Sequence, residues 1–219
     1  MHTVLRRITL ACALLTLVSG GQAFAQVTEE HLNVRLLESS KQQDEARARQ
    51  MIAEGAAVNS RNRAGETPLM LWARAGNAGM VAWLIEKGAR VNLAAVDRTT
   101  PLMAAAFAGH VQIMQTLLDA GAEIDTADQV FKTAMIYAAA QGHAPAVQLL
   151  LDRGVAVNRL YYHNLTALMW AAGYGQADCV RLLLERGADR ALKDDRGKTA
   201  ADIAGEQGYA EVAALLQGA

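Results

Sequence analysis

The residues with chemistry to offer are few. Beyond the first 25 residues the chain has three serines, Ser39, Ser40 and Ser60. None stands in a G-x-S-x-G turn, and none has a histidine at a spacing that would make a proton relay. There is no phosphate-binding glycine loop and no dinucleotide fingerprint. His110 and His143 stand at the same place in two successive units of the chain. Zinc needs ligand nitrogens about 2 Å away, whereas equivalent points on packed neighbouring helices lie about 8–10 Å apart. The two histidines therefore cannot share an ion without a third element, and a structural role at a helix start is expected. Asp97, Asp125, Asp128, Asp194 and Asp195 lack the D-x-D-x-D-G spacing of a calcium loop. They read as loop carboxylates that tie turn amides. Cys179 could be a reactive thiol, but its counterparts one period apart are Met80, Ile113, Ala146 and Val212. That apolar column argues for a buried, inert sulfur. No catalytic residue, metal set or cofactor site is expected.

The elements that carry these residues follow one period. Glycines fall at Gly55, Gly88, Gly121, Gly154 and Gly187, and again at Gly76, Gly109, Gly142, Gly175 and Gly208. Threonines fall at Thr67, Thr100, Thr133, Thr166 and Thr199, so every column steps by 33 without an insertion. Each threonine is a good N-cap, and Pro68 and Pro101 occupy N1, where no amide bond is lost. A short helix such as Leu102 to Ala108 follows, ended by its glycine at a sharp turn. The second helix carries an apolar face, for instance Val111, Met114, Leu117 and Leu118, at spacings of three and four. Its closing glycine releases an extended loop of about ten residues before the next threonine. One unit is therefore helix, turn, helix, loop.

These residues resemble the ankyrin-repeat family. Its pattern is met by Gly65-Glu66-Thr67-Pro68-Leu69 and Gly76, followed by Val81, Leu84, Ile85, Gly88 and Ala89. It returns in Thr100-Pro101-Leu102-Met103-Ala104-Ala105-Ala106 with Gly109-His110, and in Thr166-Ala167-Leu168-Met169-Trp170-Ala171-Ala172. The resemblance covers about 28–219. It implies an all-α solenoid of stacked helix-turn-helix units joined by β-hairpin-like loops. The expected units are a capping repeat over 28–59, repeats over 60–92, 93–125, 126–158 and 159–191, and a closing cap over 192–219. The first cap shows two helical patterns, about Glu29–Glu38 and Asp44–Glu54. Polar residues such as Lys193, Asp195, Lys198, Glu206 and Gln207 suit an exposed end, since nothing stacks on it. The family's histidine near the first helix start is replaced by Met70, Met103, Ile136, Met169 and Asp202. Its hydrogen bond is expected to give way to apolar contact. Alanine replaces proline after Thr133, Thr166 and Thr199.

Residues 1–25 stand outside the period. Arg6 and Arg7 precede an apolar run from Ile8 to Val18, and Ala23-Phe24-Ala25 closes the segment. This is the order of a secretory signal, with an apolar stretch about half the ~20 residues that a membrane span needs. Thr9-Leu10-Ala11 ahead of Cys12 is a poor lipobox. The mature domain is expected over 26–219, and no membrane attachment after cleavage. Losing Arg6 and Arg7 takes the formal charge from −1 to −3 and leaves Cys179 as the single cysteine. Stability must then come from packing rather than disulfides. Half of the chain is apolar (52%) and only 5% aromatic, and the near-zero net charge offers no basic stripe for nucleic acid. Export with this composition suits a bacterial periplasm or culture medium.

The resemblance also implies how such a chain works: it binds a protein partner through loop tips and the inner face of the first helices. Carried over by register, the positions are Arg61, Arg63, Glu66 and Arg74, then Asp97, Thr99 and Phe107. Gln129, Val130 and Lys132 follow, and finally Leu160, Tyr162, His163, Leu165 and Tyr174. The loop Leu160-Tyr161-Tyr162-His163 is unusually aromatic and lacks the usual Asp and Gly. Exposed tyrosines there suit a binding hot spot, or Tyr161 packs between repeats and Tyr162 covers the loop. A monomeric, non-catalytic binding module of a protein partner is the expectation. A stoichiometric inhibitor or immunity protein of an exported enzyme is the alternative within binding. A secreted effector enzyme is the alternative from another class, and it has no residues left to house a catalytic domain. The leader makes the first prediction: N-terminal sequencing of protein from the producing cell begins at or near Gln26. A soluble pool that retains Met1 contradicts it.

Overall fold

The computed structural model describes residues 29–218, so the expected leader at 1–25 lies outside the described residues. Twelve helices follow in pairs. The first pair is α1 (29–42) and α2 (Glu45–Ala53), and the second is α3 (Pro68–Ala75) and α4 (Ala78–Glu86). Next come α5 (Pro101–Ala108) with α6 (Val111–Asp119), and α7 (Ala134–Ala140) with α8 (Ala144–Asp152). The last pairs are α9 (Ala167–Gly173) with α10 (Ala177–Glu185), and α11 (Ala200–Glu206) with α12 (Ala210–Gln217). No strand occurs among the described residues, and a single 3-10 turn spans Tyr162–Asn164. First helices pack on first helices and second on second, which is the expected all-α solenoid. None of these helices is long and apolar enough to cross a membrane.

The helix starts follow from the threonine column. The Thr67, Thr100 and Thr166 hydroxyls accept the N3 amides of Met70, Met103 and Met169 at 3.2–3.3 Å. Those three methionines are buried, as is Ile136. Asp202 departs from the expected apolar replacement. Its carboxylate accepts the Thr199 amide at 2.9 Å while Thr199 accepts the Asp202 amide at 3.3 Å, a reciprocal capping box. Asp202 is exposed, so its carboxylate can make this bond without being buried. Thr133 alone makes no such cap. The first helix runs to residue 42, past the expected Glu38, with the Ser39 and Ser40 hydroxyls donated back to the Leu36 carbonyl.

One core runs the length of the stack. Small residues Ala105, Ala138, Ala171 and Ala204 let the inner helices approach, and Leu84, Leu117, Leu150, Leu183 and Leu216 fill the outer side, all buried. Cys179 is fully buried in the column predicted for it, and burial pushes its thiol up to about 12. That keeps the sulfur protonated and unreactive.

The repeats interlock at the mid-repeat turn. The His110 ring lies over Gly76, His143 over Gly109, Gln176 over Gly142 and Tyr209 over Gly175. A Cβ on Gly109 would sit 2.6 Å from the His143 ring. The ring nitrogens of His110 and His143 donate to the Arg74 and Phe107 carbonyls at 3.1 and 3.0 Å. Gln176 reaches the Ala140 carbonyl at 2.9 Å. The histidines are therefore fasteners between repeats rather than metal ligands or caps, since neither side chain caps its own helix. A second fastener joins the loops. Asn59 donates to the Gly88 carbonyl and accepts the Arg90 amide; Asn92 and Asn158 do the same one repeat on, to Gly121 and Glu123 and to Gly187 and Asp189.

Gly109 and Gly121 separate two costs. Both have positive φ, 73° and 86°, but the space beside Gly121 is open. Alanine at Gly121 therefore pays only for the left-handed backbone, about 1–2 kcal/mol. Alanine at Gly109 must also displace His143, and we predict a loss larger by about 1 kcal/mol or more. Equal losses of stability in urea unfolding would show that the fastener contributes nothing.

Candidate protein-binding face

Each loop closes as a tight hairpin turn. Asn62 N donates to Glu66 O, Ala95 N to Thr99 O, Asp128 N to Lys132 O, Tyr161 N to Leu165 O and Asp194 N to Lys198 O, all at 2.8–3.1 Å. In three of the five the side chain of the turn's first residue accepts two amides. Asn62 Oδ1 accepts the Ala64 and Glu66 amides, Asp128 Oδ1 those of Val130 and Lys132, and Asp194 Oδ1 those of Arg196 and Lys198. Of the loop acids expected to tie turn amides, Asp97, Asp128 and Asp194 do so, whereas Asp125 pairs with Arg159 and Asp195 with His163. Asp128 also accepts the Tyr137 hydroxyl at 2.5 Å, and burial together with this carboxylate drives the Tyr137 phenol well above its ordinary value.

Stacked hairpins are joined by backbone rungs at three junctions and not at the fourth. Val96 N donates to Ala64 O, Gln129 N to Asp97 O and Asp195 N to His163 O. No corresponding bond links the loops around Val130 and Tyr162. At the same junction Asp125 replaces the fastening asparagine and pairs with Arg159 instead, at 2.5 Å. The turn position with left-handed φ is glycine in the outer repeats (Gly65, Gly197) but Arg98, Phe131 and Asn164 in the inner three. A phenylalanine at φ 61° is a true outlier, and such strain persists only where the surroundings hold it. Here the Phe131 ring stacks on Tyr162 at 4.5 Å, and side-chain contact replaces the missing rung.

The candidate residues divide accordingly. Phe107, Val130, Leu160, Tyr162 and Tyr174 are all about half exposed or more. Leu165 is half-buried and packs on the core, as does Tyr161. Burial raises the Tyr161 phenol to about 12. Tyr161 thus packs inward while Tyr162 faces out. Arg61 is committed to structure, donating to the Gly65 and Ala94 carbonyls at 3.1 and 2.7 Å. Arg74 pairs with Glu66 at 2.7 Å. Burial pushes the Glu66 carboxyl up, but Asn62 and Arg74 together hold it below the usual range. His163 is exposed, at φ 60°, and pairs with Asp195 of the next loop. Arg63 is exposed at a hairpin tip.

Three aromatics that sequence reasoning passed over complete the face: Phe131, Tyr137 and Trp170. The last two occupy the same register position on α7 and α9, which is the signal that could have found them. Phe107 meets Tyr137 edge-on at 5.9 Å. Lys132 lies over both Tyr137 and Trp170, at 5.8 and 4.9 Å, and Trp170 stacks beside Tyr174 at 6.0 Å. Beyond Trp170 an open groove of about 380 Å³ is walled by Trp170, Tyr174, Tyr209, Met169 and Ile203 together with Gln207 and Arg196. Gly173, where Phe107 stands two repeats earlier, keeps this groove open. Among the described residues no three His, Cys, Asp or Glu side chains gather as a metal site would require.

Paired helices in a fixed 33-residue register, fastened at the turn and presenting hairpin tips beside short inner helices, define a repeat solenoid of the ankyrin type. The family model described as Ankyrin repeats (3 copies) matches residues 36–128 and 135–219, and the chain belongs to that family. A search of the curated proteins found no match.

Proposed function

We propose that this chain is a non-catalytic module that clasps a protein partner on its inner face and hairpin tips, and that it works in the periplasm or outside the cell. The strip Phe107–Tyr137–Lys132–Trp170–Tyr174 carries the reading. It presents aromatic surface over three repeats on rigid helices, and large, stiff aromatics contribute most to protein recognition. A partner meets a surface already ordered by the stack, so little ordering entropy opposes binding. The family's usual role in protein–protein contact supports the same assignment. The Arg-then-apolar start of the sequence, ending in Ala23-Phe24-Ala25, supports export.

The test uses the partner recovered by affinity purification from the producing cell. Phe107→Ala and Tyr174→Ala should each weaken its capture by about 2 kcal/mol or more, as hot-spot truncations do. Their Tm values should move little, because half-exposed side chains outside the core change stability by about 0.5 kcal/mol or less. Gln112→Ala, on the exposed side of α6, should alter neither property. Lost stability with unchanged capture would make the strip a packing feature and move the site elsewhere.

A further inference from the structure

We infer that the inner face is built for an extended acidic segment of the partner, its carboxylates set against Arg63, Arg98 and Lys132 and a bulky apolar side chain seated between Trp170, Tyr174 and Tyr209. The inference rests on the protein-binding reading above and specifies the chemistry of what is bound.

Charge is its first support. Among the described residues Arg63, Arg98 and Lys132 have no ion-pair partner. They stand on three successive hairpins. The carboxylates near them are already engaged: Glu66 by Arg74 and Asn62, and buried Asp128 by Tyr137 and two turn amides. Asp97 remains, with one oxygen on the Thr99 amide. This stretch is thus cationic on a chain whose formal charge is −1. Arg98 holds a left-handed backbone at φ 65°, a position glycine fills in the outer repeats, and its side chain is exposed at the tip.

The groove is the second support, and it is an independent one. Its walls set Trp170, Tyr174, Tyr209, Met169 and Ile203 beside the polar side chains of Gln207 and Arg196, and Lys132 is seated on the Trp170 ring. Arg196 spends Nε and Nη2 on Asp194, at 2.9 and 2.7 Å, so Lys132 is the cation left to meet an incoming anion. An apolar side chain in the groove would bring a neighbouring carboxylate towards this ammonium in partly desolvated surroundings, where the attraction is least screened.

Geometry fixes the spacing. Neighbouring repeats lie about 8–10 Å apart, so the groove stands about 20–30 Å from Arg98. An extended chain advances about 3.3 Å per residue. The acidic residues should therefore precede or follow the apolar anchor by about 6–9 positions, with further acids close to the anchor itself.

A random 12-residue peptide library displayed on phage, panned on the purified protein, tests this. Selected peptides should be rich in Asp and Glu at one end and carry Trp, Phe or Leu at the other. A synthetic copy of the leading peptide, measured by calorimetry, should lose at least tenfold in affinity with Lys132→Glu and with Arg98→Glu. Raising the salt from about 0.05 to about 0.5 M should weaken it similarly. Circular dichroism and Tm confirm that the variants remain folded, and Lys132→Arg should keep most of the affinity. Neutral or basic selected peptides, no enrichment at all, or acidic peptides indifferent to both charge reversals would overturn the inference. If non-acidic peptides bind and Tyr174→Ala abolishes that binding, the inference fails while the protein-binding reading stands. If binding ignores Tyr174→Ala and Phe107→Ala as well, both fail.

Discussion

In this chain one side chain from each of the last four repeats must lie where the preceding repeat's mid-turn glycine has no Cβ. His110, His143, Gln176 and Tyr209 each fill that space. Three of them also bond a carbonyl of the repeat before. Much else in the structure follows from this fit. An inserted residue within either helix would move the ring off its glycine, which agrees with the constant 33-residue step of this chain. The first helices must end at the turn, so they stay at seven or eight residues in the repeats that carry the Thr cap. Short inner helices beside longer outer ones leave the hairpins projecting, and that geometry creates the surface on which a partner can be held.

The loop edge obeys a looser rule. Backbone rungs and asparagine fasteners tie the hairpins to one another except between those at Val130 and Tyr162. There an aspartate–arginine pair and two stacked rings take over. An exposed ion pair contributes about 0–1 kcal/mol, and ring stacking on a surface gives up part of its burial. Those two rings, Phe131 and Tyr162, are the most exposed aromatics of the loop edge, and Phe131 sits in a backbone conformation that costs free energy. Strain and exposed aromatic surface therefore coincide at this one junction.

Much of this was legible in the sequence because a strict period converts one-dimensional spacing into stacking. The helix pairs, four of the five threonine caps, the buried Cys179 column and the turn-tying Asp97, Asp128 and Asp194 follow from register alone. Side-chain direction does not. Arg61 and Leu165 occupy surface positions by register, yet Arg61 is spent on two carbonyls and Leu165 leans into the core. Tyr137 and Trp170 lie on helices whose other residues are mostly buried, and only the packed structure shows that their rings reach the face. Phe131 was hidden for a different reason: its left-handed backbone turns the ring outward, and no local pattern announces a phenylalanine at a glycine position. Asp202 was misread because the register was followed without asking whether a carboxylate at N3 could bond back to the Thr199 amide.

The stack is fastened along its helices and relaxed at one junction of its loop edge. Native-state hydrogen exchange of the purified protein measures this residue by residue. The Val96, Gln129 and Asp195 amides, which form the rungs, should be protected, while the Tyr162 amide exchanges at least about tenfold faster. The amides within α7 and α9 should be as well protected as those of α5. Equal protection of Tyr162 and its three counterparts, or weak protection of α7 and α9, would contradict it.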